Sequence, residues 1–210
     1  MQKRIYAVPI KDNHSLHVAW PLPDMGPEYR IMPERYISHL VGHEGPGSIL
    51  SELKKLGYAT SLSAGCSHGG SHVGFSLFEV QVDLTPEGVG TVLTIDIYVY
   101  AVFFSLDNHE TVLDIVLAYI RILHETPVQE WIFKESQQLG AIDFRFKEKT
   151  MPIRVTTSLS SKLLTVAEED LLRHNLVFID YKPDLIRQTI DQIRTDNLQY
   201  VDYSKIIVVY

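Results

Sequence analysis

Residues able to do chemistry fall into a few small clusters along this 210-residue chain. His39 and His43 stand four apart and are followed by Glu44. On a helix, positions i and i+4 share a face, so two imidazoles there could hold a metal. Gly42 and Gly45 put a helix end at that point, and a protonated histidine there is favoured by the helix dipole alone. Neither the H-E-x-x-H order nor its inverse H-x-x-E-H occurs, and no third ligand is evident. Cys66 and His68 share a Gly/Ser turn, a spacing too short to fix a thiolate against its base. Gly45-Pro46-Gly47-Ser48 has the glycine content of a phosphate loop but not its lysine, so helix capping is its expected role. The pairs His14/His17 and His68/His72 are weak signals without a fold. Spacing alone does not declare an enzyme.

Composition narrows the field. Lys and Arg number 19 against 26 Asp and Glu, a net charge of −7, and no cation-dense block occurs. Nucleic acid is therefore not an expected partner, because phosphate binding needs clustered cations. The single cysteine, Cys66, excludes an intrachain disulfide and any Cys-rich zinc module. The length suits one large domain or two small ones, and with 45% hydrophobic residues a proper core is possible. Met1 to Ile5 leads into the charged Lys11-Asp12 without the apolar core of a secretory signal, so a cytoplasmic setting is expected. Val89 to Leu106 is nearly all apolar or small and approaches the length of a membrane span.

The elements that must position the clusters follow from periodicity. Ile5–Ile10 and Leu16–Trp20 read as strands around a polar turn, with Pro21-Leu22-Pro23 ending the second. Pro33 opens a helix whose apolar stripe is Tyr36, Ile37, Leu40 and Val41. A second helix is expected with Pro46 at N1 and Gly57 past its end. Tyr58–Ala64 and His72–Leu84 read as strands flanking a Gly65–Ser71 turn, and Thr85-Pro86-Glu87 as a helix start. Helical spacing spans His109–His124, and Thr126 to Gln129 reads as a capping box opening the next helix, in a region closed by Pro152. Ala167–His174 and Pro183–Arg194 read as helices and Ile206–Tyr210 as a last strand. Paired strands, paired helices and a late strand give an α+β two-layer sandwich, with a mixed, mostly antiparallel sheet and helices on one face.

Longer strings then carry a specific resemblance. HLVGHEGPGSILSELKKLGY (His39–Tyr58), VPIKDNHSLHVAWPLPD (Val8–Asp24), VDLTPEG (Val82–Gly88), QEWIFKESQQLGAIDFRFKEK (Gln129–Lys149) and YKPDLIRQTIDQIRTDNL (Tyr181–Leu198) resemble the insulysin branch of the pitrilysin-type zinc metallopeptidases. The blocks look like the second of that family's four related domains, a metallopeptidase/mitochondrial-processing-peptidase-like fold, so residues 1–210 are expected to form one such domain. The resemblance implies that zinc and the catalytic groups lie outside this chain, in the remaining domains of the protease. It also implies a role in holding peptide substrates. The family's site for the peptide N-terminus maps onto His39, Gly42 and Glu44, then Leu62, Ser63, Ala64 and Cys66. An edge strand there could accept a peptide as an added strand, and Glu44 could meet its ammonium group. Two departures stand out: Arg35 replaces a family histidine, and Ser63-Ala64-Gly65-Cys66 replaces a Val-Gly-Gly-Gln-like stretch.

Residues 89–107 are an insertion relative to that pattern. A membrane span is disfavoured because Asp96 sits mid-segment, where an acid costs about 2.5–3.5 kcal/mol. An extra strand or hairpin fits the Val, Ile, Tyr and Phe content. Translated sequence foreign to the domain is the preferred reading. Three functions follow in order: a peptide-binding module of an insulysin-like endopeptidase, a truncated inactive paralogue that binds peptides or a partner chain, and an independent metal hydrolase using His39 and His43. A membrane is not an expected partner.

Overall fold

Strict alternation builds the centre of the sheet. In β2 (Ser15–Pro23), Leu16, Val18, Trp20 and Leu22 are buried, and in β4 (Phe75–Leu84), Phe78, Val80, Val82 and Leu84 match them. Successive side chains of a strand point to opposite faces, so one face is apolar except for the buried Ser76, whose hydroxyl accepts from the Met25 N–H. The other carries His17, Glu79, Gln81 and Asp83, which remain partly or fully exposed. The computed structural model describes residues 3–7, 14–67, 74–89, 92–93, 104–105, 108–174 and 176–203.

The main sheet has five strands in the order β1 (Lys3–Ala7), β7 (Gln199–Tyr203), β2, β4 and β3 (Ala59–Ser67). Only β1 and β7 pair in parallel; the other neighbours are antiparallel. Its apolar face forms a single core with α1 (Pro33–Val41), α2 (Ile49–Lys55), α4 (Asn108–Glu125), α5 (Glu130–Arg145) and α7 (Pro183–Ile190). This is the α+β sandwich that the patterning implies. Between β4 and α4 lie the short α3 (Pro86–Val89) and two two-residue strands, β5 (Val92–Leu93) and β6 (Phe104–Ser105), paired antiparallel. The rest of the 89–107 segment lies outside the described residues. No helix among the described residues is long and apolar enough to cross a membrane.

Trp20 locks the layers together. Its ring is fully buried beside Phe78, and its indole N–H donates to the Arg194 carbonyl at 3.0 Å. A close approach of backbones at Gly88 joins α3 to the start of β3: a Cβ there would lie 1.9 Å from the Tyr58 carbonyl oxygen, so only glycine fits.

Several boundaries differ from the sequence reading. α2 starts at Ile49, not at Pro46, because Gly47 takes a left-handed φ of +84° and Ser48 caps the helix by accepting from the Ser51 N–H at 3.1 Å. The Thr126–Gln129 capping box does not form: the Thr126 hydroxyl donates back to the Ile122 carbonyl at 2.7 Å, and α5 starts only at Glu130. Pro152 does not close a helix but opens one, α6 (Pro152–Lys162). Residues 167–174 form a short 3-10 helix (Glu168–Asp170) and turns instead of a full helix. β3 runs on to Ser67, into the expected Gly65–Ser71 turn, whose residues 68–71 lie outside the described part, as does the expected strand Ile206–Tyr210. The last described strand is β7, upstream of it.

A buried carboxylate holds the C-terminal third to the front of the domain. Asp170 is 0% exposed and accepts from Arg30, from the Tyr29 hydroxyl, and from two nitrogens of Arg173 at 2.9 and 2.7 Å. The Arg30 carbonyl in turn accepts from the Ile179 and Asp180 amides. Burial by itself raises the Asp170 carboxyl, but hydrogen bonds from Arg173 and the charges of Arg30 and Arg173 outweigh it, and the pKa lies below its ordinary 3.8. A group depressed in the folded state contributes stability above its unfolded pKa and loses it as pH falls through the folded value. Asp170→Asn is therefore expected to melt lower than the parent at pH 7, with the gap narrowing on acidification below pH 4 or thereabouts. A gap in melting temperature that does not change with pH would contradict the assignment.

Candidate functional site

α1 is positioned by its ends. Pro33 stands at its first turn, and Tyr36, Ile37 and Val41 anchor it in the core. The Tyr119 hydroxyl of α4 donates to the Leu40 carbonyl at 3.1 Å, satisfying one of the acceptors that a helix C-terminus leaves open. The Tyr36 hydroxyl accepts from the Gln129 N–H at 3.0 Å, tying α1 to the start of α5. Burial raises both phenol pKa values, so both act as neutral hydrogen-bonding anchors. At its far end α1 meets β3 through small residues. A Cβ on Gly42 would lie 2.9 Å from the Ser38 carbonyl and 3.7 Å from the Ala64 Cβ.

Between them α1 and β3 enclose a groove of about 520 Å³, lined by Glu34, Arg35, Ser38 and His39 from the helix and Ala64, Gly65 and Cys66 from the strand. Among the described residues β3 is the last strand of the sheet, paired on one side by β4. Its other edge is backbone of the kind to which an extended chain can add.

The structure brings His39, Ala64 and Cys66 together in the groove and sets Gly42 against Ala64 at its end. Glu44 is exposed in the turn beyond α1 and does not line the groove. The Leu62 side chain belongs to the core, and Ser63 is exposed. Both can meet a ligand beside β3 only through backbone, or, for Ser63, from the opposite face. Arg35 leans away from the strand: its guanidinium carbon sits 5.6 Å from the Phe178 ring centroid and Nη1 lies 3.7 Å from the Met32 sulfur. The residues missed by sequence reasoning are Glu34, Ser38 and Gly65. A signal existed for the first two. Residues 34, 35, 38 and 39 repeat the i, i+1, i+4, i+5 spacing of the apolar stripe, two positions out of phase. Glu34 nevertheless is only 1% exposed, a buried carboxylate in the groove wall.

A metal does not fit these residues. α1 ends at Val41, so His43 lies past the helix; its ring stands edge-on to His39 at 6.3 Å, and its Nδ1 accepts from the Gly45 N–H at 3.0 Å. His39 instead faces Glu135 of α5, with 4.0 Å between Nε2 and Oε2. No cluster of three or more His, Cys, Asp or Glu among the described residues could hold a metal ion. What the site presents is a strand edge beside a mixed polar groove.

The fold is that of the α+β domains found in pitrilysin-type proteins. The crystal structure of pitrilysin superposes with a TM-score of 0.82 at 19% identity, over 96% of this chain and 20% of that one. A peptidase M16 inactive domain from Pseudomonas fluorescens gives 0.59 at 12% identity, over 96% of this chain and 43% of that one. The chain belongs to the peptidase M16 family: residues 2–139 match its inactive domain. Residues 144–207 match the model described as the middle or third domain of the same family. β7 comes from the second match and pairs with β1 and β2 from the first, so the two matches share one sheet. Insulin-degrading enzyme from Homo sapiens is 36% identical over 204 residues, 97% of this chain and 18% of that protein. The Drosophila melanogaster enzyme is 34% identical over 191 residues, 91% of this chain and 17% of that protein. The chain thus spans about a sixth of the length of these relatives.

Gly42→Val tests whether close packing of α1 on β3 shapes the groove. The added side chain must push the helix end from the strand, at roughly 1–3 kcal/mol, the cost of overpacking. Urea unfolding should register the loss, and the Ser63–Gly65 amide resonances should shift. Unchanged stability and unshifted resonances would contradict the packing described.

Proposed function

We propose that this chain is a non-catalytic, peptide-capturing domain of an insulysin-like zinc metalloendopeptidase. The observation that supports it most is the position of β3: it ends the sheet directly beside the groove under α1. An extended peptide pairs with the outer edge of β3 as a sixth strand. Main-chain hydrogen bonds supply affinity without regard to sequence, and alternate peptide side chains enter the groove against Glu34, Ser38, His39 and Cys66. Zinc and the groups that cleave the bond belong to other domains of the parent protease. Within this reading His39, Gly42, Glu44, Leu62, Ser63, Ala64 and Cys66 form the contact zone, Leu62 and Gly42 through backbone. Glu44 steers an incoming ammonium group from the rim. Because it is exposed, its pairing is worth under about 1 kcal/mol.

Titration calorimetry with a ten-residue model peptide and its alternately N-methylated form separates edge pairing from groove contacts. N-methylation removes the donors on one edge of the peptide while keeping its side chains. Affinity is expected to fall about tenfold or more on methylation, since several hydrogen bonds of about 1 kcal/mol are lost together. Glu44→Ala should weaken the unmodified peptide by no more than about fivefold. Equal affinity for the two peptides would remove the strand-addition reading.

A further inference from the structure

Charge is unevenly placed around the groove between α1 and β3. Of the residues that line it, Glu34 and Arg35 carry charge and His39 can acquire one. The Arg35 guanidinium is drawn off to the Phe178 ring and the Met32 sulfur. His39 faces a further acid, Glu135 of α5, at 4.0 Å. Glu34 lines the groove at only 1% exposure. It stands in the first turn of α1, where the helix dipole favours a negative charge. That position accounts for an acid at the helix start, but an exposed acid would serve it equally. A buried carboxylate in a groove wall does more. Away from bulk water it attracts a cation, and repels an anion, more strongly than a surface carboxylate does.

The shape of the groove sets the length of the cation. On the strand side the lining is Ala64, Gly65 and Cys66, all small. A volume of about 520 Å³ admits a whole lysine or arginine side chain. The apolar stem of such a side chain can lie along Ala64 and Cys66 while its charged head reaches the helix wall. A terminal ammonium group has no stem of this kind. In a strand added to β3, alternate side chains point to the α1 side, so the groove reads every second residue of the peptide.

We infer that the groove is a specificity pocket for a lysine or arginine side chain of the captured peptide, with the Glu34 carboxylate as its partner. This rests on peptide capture at β3 and adds the substrate class: extended peptides with basic residues at alternate positions, in preference to acidic ones.

The test titrates three ten-residue peptides into the chain by calorimetry. They are identical except at alternate positions, which carry lysine, norleucine or glutamate. Norleucine keeps the lysine stem without the ammonium group. The lysine peptide is expected to bind about tenfold or more tighter than the norleucine peptide, as a hydrogen bond between charged groups does, and the glutamate peptide more weakly than either. The net charge of −7 attracts any basic peptide at long range. Salt at about 1 M screens that attraction, whereas a contact with a buried group persists, so a lysine preference should remain there. Glu34→Gln should bring the lysine peptide down to the affinity of the norleucine peptide. If that variant melts far below the parent, the lysine preference of the parent at high salt decides. Equal affinity for the lysine and norleucine peptides overturns the inference and leaves strand addition standing. So does a preference that disappears at high salt, or one that folded Glu34→Gln retains. Strand addition fails on a different result, equal binding of a peptide and its alternately N-methylated form. Binding by none of the three peptides removes both.

Discussion

The proposed peptide capture depends on β3 having, among the described residues, a backbone partner on one side only. A strand inside a sheet exchanges its N–H and C=O groups with both neighbours; a strand at the edge keeps half of them for something else. Here the edge is neither short nor blocked by proline, and it is flanked by Ser61, Ser63 and Gly65 rather than by lysine. α1 covers its inner face only as far as Gly42 and Ala64, where small residues let helix and strand touch. Past that point the helix and strand diverge enough to leave the groove. The sheet beneath is backed by an alternating core centred on Trp20 and Phe78, both fully buried.

Much of this was legible in the sequence. The alternation in β2 and β4, the stripe of α1 and the proline starts of α1 and α7 each rest on a single local rule that the fold obeys. The errors came where two local rules competed. Ser48 offered a hydroxyl cap and Pro46 a preset φ; the hydroxyl prevailed because Gly47 between them is left-handed. Thr126 had two acceptable partners and took the carbonyl behind it. Pro152 reads as a stop because a proline ends one helix as readily as it opens the next, and here it stands in the first turn of α6.

The site was legible in part for the same reason. Motif resemblance pointed to His39, Ala64 and Cys66, and the fold gathers them in one groove. It could not say that Leu62 would turn into the core while Glu44 stayed outside the groove, because that depends on the register of β3 against β4 and on where α1 ends. Glu34 was missed because a glutamate next to a proline at a helix start reads as a dipole partner, and only the packed structure shows it buried in the groove wall.

Amide hydrogen exchange on the isotope-labelled chain, with and without an extended peptide, tests the central claim most directly. Addition of a strand to β3 predicts that amides between Ser61 and Cys66 that do not already pair with β4 become strongly protected when peptide is present. Exchange at β1, the opposite edge of the same sheet, should be unchanged. Protection confined to another surface, or a β3 edge that exchanges equally fast at saturating peptide, would contradict the account.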